Sequence, residues 1–310
     1  MHNSPPILSS TSGWLLSGFF ATSYVASLYM FRAGRLVFTA QQTEVGPNAS
    51  RARAENERWR NDPSTIRARI LSVSISTAVS CGVVYAVVTK AGSWQWGDKE
   101  SIQQTLHLLG LSLPTSVPLG AWFLAPLMYT GTIYVQLLDK ELPLQRNWSF
   151  AESVKPIFTT WIGFRNIIAA PITEEIVYRS CIVGIMKLSG ASTSSMIFLS
   201  PLWFGAAHLH HGWDLYNRFG KTRSALKRAA MSVAFQQLYT SIFGWFEAFL
   251  LLRTGSTWPC IFAHAFCNLY GVPLPMDGIR DHPKRKIDIL GAYLLGAVSF
   301  GFALMPWTRN

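Results

Sequence analysis

The chain has 310 residues and a formal net charge of +11, with 49% hydrophobic residues, only 14% charged ones, 12 Trp and 19 Phe. Soluble domains carry about 25% charged residues, so this deficit argues against a surface bathed wholly in water. The basic excess lies between apolar segments rather than along one face, which disfavours a nucleic-acid reader and fits a basic rim against anionic headgroups.

A helix needs about 20 apolar residues to cross the hydrocarbon core. In chain order the sequence offers 13–31, 70–89, 118–138, 174–190, 191–207, 229–252, 255–272 and 289–307. The fold class expected is therefore all-α, a polytopic integral membrane protein of about eight transmembrane helices forming one domain over 1–310. The opening "MHNSPPILSS" lacks the basic region of a cleaved signal, so the first span is expected to stay as an anchor. The stretch 156–172 is apolar but holds Arg165 and Asn166 and ends at Pro171, and it is expected to be interfacial or half-inserted. Eight spans place the loops 32–69, 139–171, 208–228 and 274–288 on one side with 21 of the 27 Lys and Arg, which the positive-inside rule assigns to the cytosol. The acceptor patterns at Asn48 and Asn147 would then face the cytosol and carry no glycan. Four cysteines, Cys81, Cys181, Cys260 and Cys267, lie in apolar stretches without a C-x-x-C and are expected to be buried free thiols.

The fourth span opens on "PITEEIVYRSC". A charge at the centre of a membrane helix costs about 2.5–3.5 kcal/mol, so charges there are functional candidates by default. Glu175 and Arg179 are four apart and share a face, whereas Glu174 points about 100° away. The motif divides into an ion pair and a separate carboxylate. Thr173 is expected to cap this helix. The plain reading is an acidic amino-terminal turn neutralised by Arg179. Two further constellations weigh against it: Phe204 and His208 near the end of the fifth span, and His264 and Asn268 one turn apart in the seventh. Under the eight-span topology all four polar groups meet in the cytosolic half of the bilayer.

A carboxylate with a histidine can take a proton from water, and a second histidine with an amide can donate to the oxyanion that follows. Zinc chemistry through Glu174, His208, His264 and the neighbouring His210 and His211 fits less well, because H-E-x-x-H is absent. Cysteine catalysis through Cys181 or Cys267 and a serine triad lack supporting patterns. No cofactor is called for. The alternative of another class is a non-catalytic scaffold or transporter using its buried polar residues for binding, with Glu247 in the sixth span the residue most in its favour.

At these residues the chain resembles the type II, Ras-converting CAAX prenyl endopeptidases of the ABI membrane protease family, in their eukaryotic branch. The family pattern E-E-x3-R, F-x3-H, H-x3-N appears as Glu174, Glu175 and Arg179, then Phe204 and His208, then His264 and Asn268. The likeness covers roughly 160–275, and the first 150 residues share only hydropathy. The resemblance implies a glutamate-type intramembrane protease of the endoplasmic reticulum, its site facing the cytosol. Its partners would be farnesylated or geranylgeranylated CAAX proteins such as Ras-like small GTPases, which lose their last three residues. By position, Glu174 and His208 would activate water, His264 and Asn268 would hold the oxyanion, and Glu175, Arg179 and Phe204 would support them. Arg165, close before the motif, is the candidate for receiving the substrate's free carboxylate.

Overall fold

The computed structural model describes residues 6–46 and 49–309; Asn48 lies outside them. Among these residues the regular elements are all helices, apart from one isolated antiparallel bridge, Val37 to Arg58. They form two compact units. One comprises the described residues up to Leu109 together with Thr173–Phe249, the other Gly110–Ile172 together with the described residues from Leu250 onward.

In the first unit, Ser9 caps the helix Ser10–Ser27 by accepting from the Ser12 N–H at 3.1 Å. Gly13 and Gly18 on that helix face Ser189 and Trp203 so closely that a Cβ would collide, the small-residue packing by which membrane helices approach one another. The helix Pro63–Ala91 starts on a proline, whose missing N–H costs nothing in the first turn. Its two faces are inverted relative to a soluble helix. Leu71, Ile75 and Val79 are exposed, while Ser72, Ser76 and Ser80 are buried. Ser72 and Ser80 donate to the carbonyls of Ala68 and Ser76, both at 2.9 Å, so these hydroxyls need no water. Lipid on the apolar face explains the pattern.

The polar segment before this helix folds onto the turn after His208. Arg51 donates to the Asn217 carbonyl at 2.8 Å and grips buried Glu57 with both Nη atoms, at 2.8 and 2.6 Å. Burial alone would raise the Glu57 pKa, but donors from Arg51, Ala40, Trp59 and Ala54 overcome it and hold this carboxyl far below the usual range. Lys221 closes the seam by donating to the Ala40 carbonyl at 2.9 Å.

In the second unit, Leu119–Met128 and Thr130–Asp139 meet at a 63° bend around Tyr129. The Tyr129 hydroxyl donates to the Gly271 carbonyl at 2.5 Å. The helix Trp258–Tyr270 stacks Phe262, Phe266 and Tyr270 along one side, where Trp122 and Tyr129 meet them edge-on or tilted. Leu294 and Phe302 of the helix Lys286–Leu304 are 65% and 81% exposed, whereas Gly296 lies tightly against the Leu127 carbonyl and Thr130. Here too the apolar side chains point outward.

Pro63–Ala91 and Pro283–Leu304 are long and apolar enough to cross a membrane, and the bent pair makes a third if it counts as one span. The other expected spans are not all single long apolar helices. The fourth turns π-helical over Ile176–Cys181, and the fifth divides into Thr193–Phe198 and Ser200–Ala207. Pro201, which has no N–H for the ladder, sits at that division.

One local expectation is corrected. Thr173 is no cap: it is the fourth residue of the helix Ala170–Glu175, and its hydroxyl meets that of Tyr24 at 2.8 Å. Pro171 removes a ladder bond, and the π-helical turn Arg165–Ala169 before it absorbs the loss, so helical backbone passes the proline instead of starting after it. The reading of Glu174 and Glu175 as an amino-terminal acidic turn loses its basis.

Candidate active site

The first unit carries Glu174, Glu175, Arg179, Phe204 and His208; the second carries His264 and Asn268. The adjacent glutamates occupy different environments. Glu175 is fully buried and meets the Arg179 Nε at 3.1 Å, with Arg179 itself 1% exposed. The Arg179 guanidinium lies 4.3 Å from the Phe204 ring centroid and 5.8 Å from that of Phe243. A desolvated cation over an aromatic face gains about 2 kcal/mol, which offsets part of the cost of burying the charge. Gly244 permits this packing, since a Cβ there would press on Pro201 and touch Arg179. Glu247, one turn further along Arg223–Thr254, is fully buried.

Glu174 is half-buried and acts electrostatically on the phenols of Tyr24 and Tyr178 and on the guanidinium of Arg60. Tyr24 and Tyr178 pack edge-to-face at 5.5 Å, and Tyr178 packs on Phe204 at 5.2 Å. The Glu174 carboxylate therefore shares its surroundings with two phenols and the Arg60 guanidinium. Sequence spacing contained no sign of Tyr24 or Arg60, which lie more than a hundred residues from the motif; Tyr178 stood inside it but looked like packing.

His208 ends the helix Ser200–Ala207 as its C-cap. Its ring packs edge-on against Phe204, centroids 4.7 Å apart, and its Nδ1 lies 2.8 Å from the Phe204 carbonyl. A carbonyl only accepts, so Nδ1 carries the proton and Nε2 keeps a lone pair. The four-residue spacing of Phe204 and His208 thus fixes both ring orientation and tautomer. A neutral imidazole held this way can accept a proton at Nε2.

In the second unit, His264 is buried on Trp258–Tyr270 and Asn268 is exposed one turn later. The Asn268 amide donates to the Asn166 carbonyl at 2.9 Å, and Arg165 donates from Nε to the Asn166 side chain at 2.8 Å. The interrupting polar pair of 156–172 thus orients Asn268. Among the described residues, no three His, Cys, Asp or Glu side chains converge as metal ligands. All four cysteines are free thiols, with the sulfurs of Cys81 and Cys181 3.9 Å apart.

Comparison with known proteins decides the family. Residues 156–270 match the family described as type II CAAX prenyl endopeptidase, Rce1-like. The probable CAAX prenyl protease 2 of Schizosaccharomyces pombe is 32% identical over 295 residues, covering 95% of this chain and 92% of that protein. This chain belongs to the Rce1-like CAAX prenyl endopeptidase family. The CAAX prenyl protease 2 of Arabidopsis thaliana is 40% identical over 59% of the chain and 62% of its own length. The human CAAX prenyl protease 2 is 28% identical over 93% of the chain and 78% of its own length. No solved structure matches significantly. The Rce1-like match contains every residue of the three motifs, whereas the similarity to the yeast relative extends through the amino-terminal helices as well.

Proposed function

We propose that this CAAX prenyl endopeptidase removes the terminal tripeptide from prenylated CAAX proteins by using Glu174 and His208 to activate water. The chain is a protease by family; the assignment of roles is our own. The observation that carries it is the contrast between the half-buried Glu174 and the buried, ion-paired Glu175, with the His208 Nε2 lone pair left by its bond to Phe204.

In this mechanism water attacks the carbonyl of the prenylated cysteine while Glu174 and His208 take its proton. The carbonyl becomes an oxyanion, for which His264 and Asn268 are the donors. The oxyanion collapses, the C–N bond breaks, and the proton passes to the leaving amine of the tripeptide. Glu175, Arg179 and Phe204 do no chemistry: the ion pair and the rings hold the Glu174 helix and the His208 ring.

Eight spans over 1–310, with the catalytic core at 160–275, belong to this proposal. So do the endoplasmic reticulum membrane, a site facing the cytosol and Ras-like small GTPases among the substrates. The apolar outward faces of Pro63–Ala91 and Lys286–Leu304 and the basic loops support a bilayer setting. Such a setting suits a substrate whose prenyl tail lies in lipid and whose peptide end lies in water.

The test is release of the tripeptide from a farnesylated peptide by purified wild type and Glu174→Ala. General base catalysis contributes about 10²–10⁴-fold, and a loss of that size is expected. Undiminished release by the variant would sink the mechanism. Loss of wild-type activity on stringent chelation, restored by zinc, would replace it with metal hydrolysis.

A further inference from the structure

Four residues from Glu57 to Arg60 and the turn His208–Arg218 bring an unusual set of cations together. Arg69 is buried; its Nε donates to the Gly34 carbonyl at 2.9 Å, and its guanidinium lies 5.6 Å from the Tyr29 ring centroid. Its Nη2 is buried with no hydrogen-bond partner. Leaving a charged donor unsatisfied inside a protein is costly, and such a group ordinarily meets an acceptor in one functional state. The Tyr29 ring that Arg69 covers also meets His210 edge-on at 6.4 Å; His210 packs on His211 at 4.1 Å, and His211 lies 5.6 Å from His208. A chain of ring contacts thus connects Arg69 to the candidate base.

Several charged groups act on one another in this cluster. Arg60 acts on Glu174, Asp214 and Arg218, and Arg69 acts on Arg60 and Asp214. Arg218 lies 3.8 Å from Asp214. Arg60, Arg69 and Arg218 thus share this region with Glu174 and Asp214. Burial raises the Asp214 pKa against the opposing pull of Arg218, Arg60 and Arg69. The imidazoles add no charge of their own. Burial pulls His210 down to about 4 and His211 well below the usual range, so both are neutral near pH 7. His210 Nδ1 lies 2.6 Å from the Ala207 carbonyl and carries the proton, leaving Nε2 as a buried acceptor with no partner.

We infer that Arg69 and Arg60 form the site that receives the free α-carboxylate at the end of the substrate, with His210 Nε2 accepting a backbone N–H of the same tripeptide. This rests on the endopeptidase reading above and specifies how it recognises its peptide. Three extended residues span about 10 Å, so a carbonyl beside Glu174 and His208 puts the carboxylate a few side chains away. Arg60 acts electrostatically on Glu174. Arg165, the cation that sequence proximity suggested, already donates to Asn166 in the other unit. A buried guanidinium that recognises a carboxylate also explains why removal stops at the chain end: an internal peptide bond has no terminal charge to offer.

The test compares a farnesylated peptide ending in a free carboxylate with the same peptide ending in an amide. Wild type is expected to cleave the acid at least tenfold better, mainly through KM. In Arg69→Gln the preference should collapse towards one because KM for the acid rises, and Arg69→Lys should restore part of it. Lys227→Gln, which removes an exposed cation of the same unit, should keep the wild-type ratio. An acid preference unchanged in both Arg69→Gln and Arg60→Gln would overturn the inference. So would a wild type that cleaves acid and amide equally, a result that leaves the endopeptidase reading intact. Direct binding of both peptides to Glu174→Gln, with and without Arg69→Gln, reads recognition separately from cleavage. If wild type cleaves neither peptide, the proposed function fails while this binding ratio still decides the carboxylate site. Thermal melting in detergent identifies a variant that has not folded, and Arg60→Gln then carries the comparison.

Discussion

The buried pair Glu175–Arg179 and the set of Glu174, His208, Arg60 and Arg69 use the same residue types to opposite ends. In the first, a carboxylate and a guanidinium meet at 3.1 Å, closed in by Phe204 and Phe243. Neither partner reaches solvent. In the second, charges of like sign are crowded and the His208 ring is held by the Phe204 carbonyl. A membrane protein tolerates intramembrane charge either by neutralising it on the spot or by reserving it for something that arrives later. Phe204 serves both regions, with one face over Arg179 and an edge contact to His208.

The largest effects should separate the two glutamates. Glu174→Ala is expected to lose about 10²–10⁴-fold in kcat/KM with little change in melting temperature, as a base that does not hold the fold would. Arg179→Met should do the reverse. Removing one partner of a buried pair leaves the other charge stranded and costs about 3–5 kcal/mol. The double variant Glu175→Gln/Arg179→Met should recover much of that loss, because the stranded charge is gone. Unfolding in mixed micelles measures both, and a double variant no more stable than Arg179→Met would show that the pair is more than a neutralised charge.

A third kind of charge, one with no partner at all, extends the comparison to the lipid face. Ile75 is exposed on Pro63–Ala91, and Ile75→Asp is expected to weaken membrane insertion by about 2.5–3.5 kcal/mol if lipid covers it. One residue on, Ser76 is buried and its hydroxyl has no hydrogen-bond partner. Ser76→Ala should therefore be neutral or slightly stabilising. Insertion yields in a reconstituted translocation assay report the first and unfolding the second. Equal tolerance of aspartate and alanine would mean that the outward face meets water.

Much of this division was legible in the sequence, and the physical reason is locality. The four-residue step from Glu175 to Arg179 fixes their shared face on any helix, and so does the step from Phe204 to His208. The apolar runs announced helices in lipid because that solvent selects composition directly. What stayed hidden depends on distant parts of the chain or on backbone irregularity. Tyr24 reaches Thr173 from the first helix, and Arg69 reaches the histidines through Tyr29. The cap assigned to Thr173 failed because π-helical turns absorb Pro171, and period counting assumes an unbroken α-helix. The same assumption makes broken segments such as Thr193–Phe198 and Ser200–Ala207 look like one span.

A smaller loss than that of Glu174 or Arg179 is expected where the two regions touch. Tyr24 places its ring against Tyr178 and its hydroxyl against Thr173, immediately before Glu174. Tyr24→Phe keeps the ring contact and deletes only the hydroxyl. A single neutral hydrogen bond contributes about 0.5–1.5 kcal/mol, so stability should fall by about that much. If the bond serves only to hold the helix, kcat/KM follows wild type once the protein is folded. If it also sets the Glu174 carboxylate, kcat falls several-fold with KM unchanged, and Thr173→Val reproduces the loss. A cleavage assay on both variants at a temperature well below melting distinguishes these outcomes. The second is expected, because Glu174 follows Thr173 directly and acts electrostatically on the Tyr24 phenol.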